Sequence, residues 1–286
     1  GDGDVQVSHL AADSRQVRPG GLFAAVTGFN VDGHDYVHSA LRAGAVAILA
    51  ERARPVNLPA EVTWVRVENT RATVGLMAAA FYGDPSRDLQ VMAVTGTNGK
   101  TTVVWLLDQV LRAAGLNVGF HTTIEERYGD VRRQSVLTTP MGHDLQRVLD
   151  QMRDAGTGHV LLEASSHGLA LGRLAGCQVA VGGFTNLSRD HLDFHETVDA
   201  YRAAKARLFD GMAAAACFHV DDAVGRELAD AFEGPSVTVG SRSEGPVDLR
   251  AVDVVCALEG TTARLLTPDG ELPLKVGIPG RHNLEN

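Results

Sequence analysis

Little in this sequence suggests a secreted, membrane-bound or nucleic-acid-coating protein. Its three cysteines, Cys177, Cys217 and Cys256, stand far apart with no C-x-x-C pair, which excludes a disulfide framework or zinc knuckle and fits a reducing compartment. They are expected to be core residues. No apolar stretch approaches the roughly 18 residues that a membrane span needs, and the first residues, Gly1-Asp2-Gly3-Asp4, are acidic where a signal peptide would be basic. The expectation is a cytoplasmic protein with neither leader nor span. Lysine and arginine number 26 against 35 aspartates and glutamates, a formal net charge of −9. A field of that sign repels nucleic acid and anionic membrane alike, so any anionic ligand requires a local site.

What is present is enough for a sizeable core. With 286 residues, 44% of them hydrophobic, the chain suggests two domains, and it carries no repeat or low-complexity tract. Residues 1–88 read as a small α/β module. Strands are expected over 22–26, 45–49 and 63–67, and helices over 36–43 and 70–81. The Gly83-Asp84-Pro85-Ser86 cluster then marks a boundary by its turn chemistry. From Leu89 strands and helices alternate, the mark of a mostly parallel sheet with crossover helices: strands over 89–94, 159–162 and 179–185, and a helix over 142–155. Residues 237–276, with Gly and Pro turns between short strands, predict an antiparallel appendage. The fold class is therefore α/β: a small N-terminal domain at 1–88 and a P-loop-type central domain at 89–286.

The stretch Val91 to Thr102 reads as a phosphate cradle. An apolar strand stops at Thr95-Gly96, and the amphipathic run Val103, Val104, Leu106, Leu107, Val110, Leu111 follows. Gly96 and Gly99 allow backbone N–H groups to converge on phosphate oxygens, and the helix beginning near Thr101 adds its positive end. In such a loop Lys100 reaches the β- and γ-phosphates and the Thr101 hydroxyl ligates Mg²⁺. The full phosphate-loop pattern is not met, because Val94 stands where its first glycine would be. A glycine-rich turn ahead of a surface helix is the alternative.

Three further residues stand out. Glu163 ends the apolar strand Val160-Leu161-Leu162; a carboxylate there suits Mg²⁺ shared with nucleotide phosphates, and equally suits a helix cap or a solvated position. In an open α/β sheet ligands sit beyond the carboxyl ends of strands, so Glu163 and Asn186 are expected to face the cradle. The loop 186–195 gathers Arg189, Asp190, His191, Asp193 and His195. His191 is the candidate metal or phosphate ligand, and Asp193 the candidate cap of the next helix. On that helix, read over 196–209, Lys205 falls within the apolar stripe of Val198, Tyr201, Leu208 and Phe209 at about 100° per residue. It should point inward, where a lysine is unusual unless paired or functional; a snorkelling lysine is the alternative. Arg202, at the stripe's edge, fits snorkelling better.

Taken together these blocks resemble the Mur ligase family, ATP-dependent amino-acid ligases of peptidoglycan synthesis. The resemblance is carried by Asp13-Ser14-Arg15 with Asp32-Gly33-His34, by Thr95 to Thr102, and by Leu137-Thr138-Thr139-Pro140. It continues through Glu163 to Leu169, Phe184 to Asp193, Ala203 to Phe209 and Pro279 to Asn286. It implies that Gly96, Thr97, Asn98, Gly99, Lys100, Thr101, Thr102 and Asn186 bind ATP, with Lys100, His191 and Lys205 catalytic. It further implies that Thr101, Glu163, His191 and Lys205 hold Mg²⁺, with Lys205 carbamylated so that it presents an anion to the metal. Ser14, Thr138, Thr139, Ser165 and Arg173 match positions that contact a UDP-N-acetylmuramoyl dipeptide. The implied reaction activates the dipeptide's carboxylate as an acyl phosphate and lets the amine of a third amino acid displace phosphate. A related ligase of another pathway, or a non-catalytic nucleotide- and UDP-sugar-binding protein, is the alternative. Met141 departs from the glutamate that many members carry there. The family's C-terminal domain, which supplies the amino-acid site, would begin where the sequence ends, so these residues alone are expected to bind the dipeptide and ligate poorly.

Overall fold

The computed structural model describes residues 4–28, 31–243 and 245–286. Gly1 to Gly3, where the sequence reading found an acidic start, lie outside them. By contact the chain forms two compact units. Unit 1 comprises Gly1–Pro85, Pro140–Asp150 and Leu171–Cys177, and unit 2 comprises Ser86–Thr139, Gln151–Ala170 and Gln178–Asn286.

In unit 1 a parallel four-stranded sheet runs in the order β1 (His9–Ala11), β2 (Gly21–Ala24), β3 (Ala45–Ala50), β4 (Thr63–Arg66). Helix α1 (Val37–Arg42) and helix α2 (Thr70–Phe81) supply its two faces. Strand period two explains the division: Phe23 and Ile48 pack with Val37 and Ala40 of α1, whereas Leu22, Ala24, Ala47 and Leu49 pack with Val74 of α2. Because both faces are covered, β3 reads as an unbroken apolar run rather than an alternation. Asn69 starts α2 where the sequence expects it, its side chain accepting from Ala72 N.

Unit 2 is built on an eleven-stranded sheet. In chain order its elements are β5 (Gln90–Thr95), α3 (Lys100–Ala113), β6 (Val118–His121), β7 (Glu125–Tyr128), β8 (Val131–Gln134), β9 (His159–Glu163) and α5 (Ser166–Ala170); α4 (Gly142–Asp154), between β8 and β9, belongs for most of its length to unit 1. There follow β10 (Val179–Phe184), α6 (Leu192–His195), α7 (Val198–Ala206), β11 (Ala213–His219), α8 (Ala223–Ala231) and β12 (Ser236–Gly240), and last β13 (Leu249–Ala257), β14 (Gly260–Thr267), β15 (Gly270–Val276) and α9 (Arg281–Glu285). The order across the sheet is β15-β14-β13-β12-β11-β10-β5-β9-β6-β7-β8. Its centre, from β13 to β6, is parallel, and an antiparallel pair of strands extends each flank.

The strands expected as an appendage are antiparallel to one another, yet β13 pairs with β12 through Val239 with Leu249 and Gly240 with Arg250, so they continue the central sheet. Pairing there covers the edge that β12 would otherwise leave open. Two expectations are corrected. Cys177 is buried, but Cys217, on β11, is half-buried, and Cys256 is exposed at the end of β13, whose last three residues all face solvent. Asp193 lies inside α6, and it is Thr197 that caps α7, accepting from Ala200 N. The hairpin of β7 and β8 was not foreseen. Its strands are charged, and the pairs Arg132 with Glu125 and Arg133 with Glu126 span them.

Candidate functional site

Sheet order decides which loops meet. β5 lies between β9 and β10, and parallel register sets Val94 opposite Glu163 and Thr95 opposite Phe184. The residues that follow all three strands therefore gather at one carboxyl edge, where open α/β sheets bind ligands. The loop 96–99 turns there on two glycines of positive φ, Gly96 at 146° and Gly99 at 90°. Asn186 holds this loop, its main-chain oxygen accepting from Thr97 N at 2.8 Å and its side-chain oxygen from Asn98 N at 3.0 Å. Helix α3 begins at Lys100 with its N–H groups directed into a cavity of about 350 Å³. Thr97, Asn98, Gly99, Lys100, Thr101, Thr102, Thr138, Glu163, Ser165 and His191 line that cavity.

Within it, Glu163 is almost completely buried and bonded on both oxygens. Oε1 accepts from Thr101 Oγ1 at 2.7 Å and Thr123 N at 3.0 Å, and Oε2 from Thr123 Oγ1 at 2.9 Å. Thr139 Oγ1 donates to the Glu163 main-chain oxygen at 2.7 Å and accepts from Ser165 N at 3.0 Å, which fixes the strand end. A carboxylate and a hydroxyl oxygen at this spacing match neighbouring vertices of an octahedral Mg²⁺ site, roughly 3 Å apart for bonds of about 2.0–2.1 Å. Among the described residues no group of three or more His, Cys, Asp or Glu side chains is arranged to hold a metal. An ion here would take its remaining ligands from phosphate oxygens and water, as Mg²⁺ commonly does. The donor set fits.

Two lysines bond the main chain of the cradle and share the Gly96 oxygen. Lys100 Nζ donates to the main-chain oxygens of Gly96 and Thr97, both at 2.9 Å. Burial pushes it below the ordinary lysine value, against the pull of Glu163 and Asp190. Lys205 is 1% exposed, and its Nζ donates to Gly96 O at 2.7 Å and lies 4.5 Å from the centre of the Tyr201 ring. Helical spacing puts Tyr201, Ala204, Lys205 and Leu208 on the buried side of this segment, so the amine has no route to water. Burial first, and the Lys100 charge second, lower its pKa to about 7. His191, in a left-handed conformation at φ 51°, packs edge-on against His167 with ring centres 4.9 Å apart. Arg202 does not snorkel alone; it pairs with Glu227.

The remaining candidates belong to unit 1. Ser14 belongs to unit 1, where it lines a separate cavity of about 600 Å³ together with Arg71 and His143. Arg173 also belongs to unit 1, and burial, then the charge of Arg71, push its pKa down. Thus Thr138, Thr139, Ser165, Glu163 and the cradle come together in unit 2, and Ser14 and Arg173 belong to unit 1. Sequence reasoning missed Thr123 and Arg71. Thr123 sits in an undistinguished Thr-Thr turn after β6. Arg71 left a readable sign, since a cation in the first turn of a helix opposes the macrodipole and asks for another reason to be there.

Comparison with known proteins agrees with this architecture. A model of the Mur ligase middle domain matches residues 94–286, and one described as Mur ligase family, catalytic domain, matches residues 6–82. A Geobacter metallireducens protein named UDP-N-acetylmuramoyl-L-alanyl-D-glutamate--2,6-diaminopimelate ligase is 41% identical over 290 residues, 99% of this chain and 56% of that protein. A Streptomyces coelicolor protein of the same name is 40% identical over 292 residues, 100% of this chain and 57% of its own length. A solved structure of a ligase with that name superposes with a TM-score of 0.83 at 27% identity, covering 98% of this chain and 57% of the other. The chain spans little more than half the length of the curated relatives it matches. Most of its residues, including the cradle and the carboxylate that faces it, fall within the matched middle domain, and the chain belongs to the Mur ligase family.

Proposed function

We propose that this protein is an ATP-dependent amide ligase that adds the third amino acid to UDP-N-acetylmuramoyl-L-alanyl-D-glutamate during peptidoglycan synthesis. The observation that carries the reading is the meeting of Lys100, Thr101 and Glu163 in one cavity at the head of α3. Hydroxyl, carboxylate and ammonium there fit the triphosphate of ATP and a divalent cation. The two relatives described above are named for 2,6-diaminopimelate, which makes that amino acid the proposed acceptor. The cytoplasm is the proposed location, since ATP and UDP-linked precursors are available there.

In this reading the dipeptide's terminal carboxylate oxygen attacks the γ-phosphorus of ATP, forming a C–O–P bond and releasing ADP. The amine of the amino acid then attacks the acyl carbon, the C–O bond to phosphate breaks, and the nitrogen gives up a proton. Lys100, released from the Gly96 and Thr97 oxygens, neutralises the phosphoryl oxygens as the two anions approach. Mg²⁺, held by Thr101 and Glu163 with His191 and Lys205 as further proposed ligands, would supply charge neutralisation on the β- and γ-phosphates. A Lys205 amine that is neutral near pH 7 is nucleophilic toward CO₂; N–C bond formation with loss of a proton leaves a carbamate whose oxygens can face the metal. Thr138 and Ser165 offer hydroxyls to the dipeptide, the buried Thr139 hydroxyl holds the strand end beneath them, and the unit 1 cavity with Ser14 and Arg71 is the proposed seat of the UDP-sugar.

Thermal unfolding with ADP–Mg²⁺ and with the UDP-muramoyl dipeptide tests the reading. Each ligand at about 100 times its Kd should stabilise by about 2.7 kcal/mol. Absence of any shift with either would sink it. Thr123→Val, which deletes the bond to Glu163 Oε2 and keeps the backbone N–H, is expected to weaken binding of Mn²⁺ as a stand-in for Mg²⁺ by about tenfold in a spectroscopic titration, because the carboxylate loses its orienting partner. Unchanged Mn²⁺ affinity would remove Thr123 from that role.

A further inference from the structure

A second cavity of unit 2, about 340 Å³, adjoins the first and shares Asn98, Gly99 and Thr102 with it. Its other side is α9, which contributes His282, Asn283 and Glu285, with Asn286 just beyond. This helix is five residues long and follows Gly277-Ile278-Pro279-Gly280, with Gly280 at φ 103°. A helix so short has almost no stability of its own, so tethers must decide where it lies. Leu284 supplies an apolar one, sharing a small cavity with Leu249, Leu265 and Leu274.

The polar tether is Glu285. Its Oε1 accepts from Arg242 Nε at 3.0 Å, from the Arg242 terminal nitrogen at 2.5 Å and from Ser241 Oγ at 3.3 Å. Arg242 stands on an irregular loop that one carboxylate holds in shape. Asp221 accepts from the backbone N–H groups of Ser241, Arg242 and Ser243 and from both serine hydroxyls. On its other side Asp221 Oδ2 lies 3.5 Å from His219 Nε2, and His219 Nδ1 meets Thr185 O at 2.9 Å. Thr185 Oγ1 in turn donates to Asn98 O in the phosphate loop at 2.6 Å. Hydrogen bonds thus join α9 to Asp221 through Arg242 and Ser241, and join the cradle to His219 through Thr185, and His219, which lines the cavity, stands beside Asp221.

We propose that Arg242 and Glu285, anchored through Asp221, form a latch that sets how closely α9 approaches the phosphate cradle and so controls affinity for the nucleoside part of a bound nucleotide. The proposal rests on the nucleotide reading of the cradle. Exposed ion pairs contribute little, but the Glu285 side chain is only 12% exposed, so removal of the Arg242 guanidinium leaves a poorly solvated carboxylate, with Arg281 of its own helix at 3.6 Å, at the wall of an anion's site. Arg242 and Asp221 act here as positioning residues.

The test compares two probes, ADP–Mg²⁺ and inorganic triphosphate–Mg²⁺, by calorimetry on the wild type, R242Q and E285Q. ADP affinity is expected to fall about tenfold in each variant, with triphosphate affinity within about twofold of wild type, as lost positioning of one wall predicts. In turnover the ATP KM should rise and kcat hold. Equal losses for both probes would mean general damage to the cradle and would overturn the latch, as would unchanged ADP affinity in both variants. A wild type that binds triphosphate but not ADP also overturns it, whereas a wild type that binds neither overturns the nucleotide reading on which it stands.

Discussion

Replacing Lys205 by methionine is expected to make the protein more stable and, on the proposed ligase reading, to abolish ligation in the same variant. The amine is buried, donates to the Gly96 main-chain oxygen, and is repelled by Lys100. Its pKa falls from 10.5 to about 7, a gap worth on the order of 5 kcal/mol at the usual conversion per unit. The sign follows from proton counting. Between about pH 7 and 10.5 the unfolded lysine holds a proton that the folded one has released, so wild-type stability rises with pH across that window. Below about pH 7 the full penalty of burying the cation is present. Methionine fills a similar volume without charge, and an expected net gain of about 1–3 kcal/mol at pH 7 allows for the lost Gly96 bond. Urea unfolding at pH 6, 7 and 9 measures it: the advantage of the variant should be largest at pH 6 and shrink by pH 9. An advantage that grew with pH would mean that the buried lysine stabilises as a cation. Ligation should fall by about 10³-fold, the scale of losing a group directed at transition-state charge. Added bicarbonate should leave the variant unchanged, because it has no amine to carbamylate.

Gly96→Ala is the second large effect. Gly96 has φ 146°, which a side chain disfavours, and an added Cβ would stand 1.9 Å from Thr185 Oγ1 and 3.1 Å from Asn186 N. Thr185 has little freedom to yield, since its hydroxyl already donates to Asn98 O at 2.6 Å. Relief therefore requires the loop to move away from β10. Such a shift would separate the Gly96 oxygen from both lysines that bond it. A stability loss of about 2–4 kcal/mol is expected from strain and overpacking together. ADP affinity should fall by at least about 100-fold, since the cradle's N–H groups no longer converge. Calorimetry with ADP–Mg²⁺ on a variant whose folding is checked by circular dichroism decides it. Retention of wild-type affinity would show that the loop can be rebuilt around the methyl group and that its geometry is not the source of binding.

Residues close in sequence told their own story. The apolar run of β3, the strand–glycine–helix sequence at 90–113, the helix over 70–81 and the inward turn of Lys205 all follow from the spacing of neighbours, because helical and strand periods are local properties. Charged strands hid from the same reasoning. The Gly129-Asp130 turn of the β7–β8 hairpin is a known two-residue hairpin signal, but Glu125, Glu126, Arg132 and Arg133 mask the alternation around it. Which side chains touch was decided by the tertiary structure alone. Thr101 and Glu163 are 62 residues apart and Lys205 and Gly96 are 109 apart, and only the strand order β10-β5-β9 brings them to one edge. The same holds for the return of 140–150 and 171–177 to unit 1 and for the two bonds that Thr123 makes to Glu163. A sequence specifies periodicity within each element directly, but register between distant strands is set by burial summed over the whole sheet, and no short stretch contains that sum.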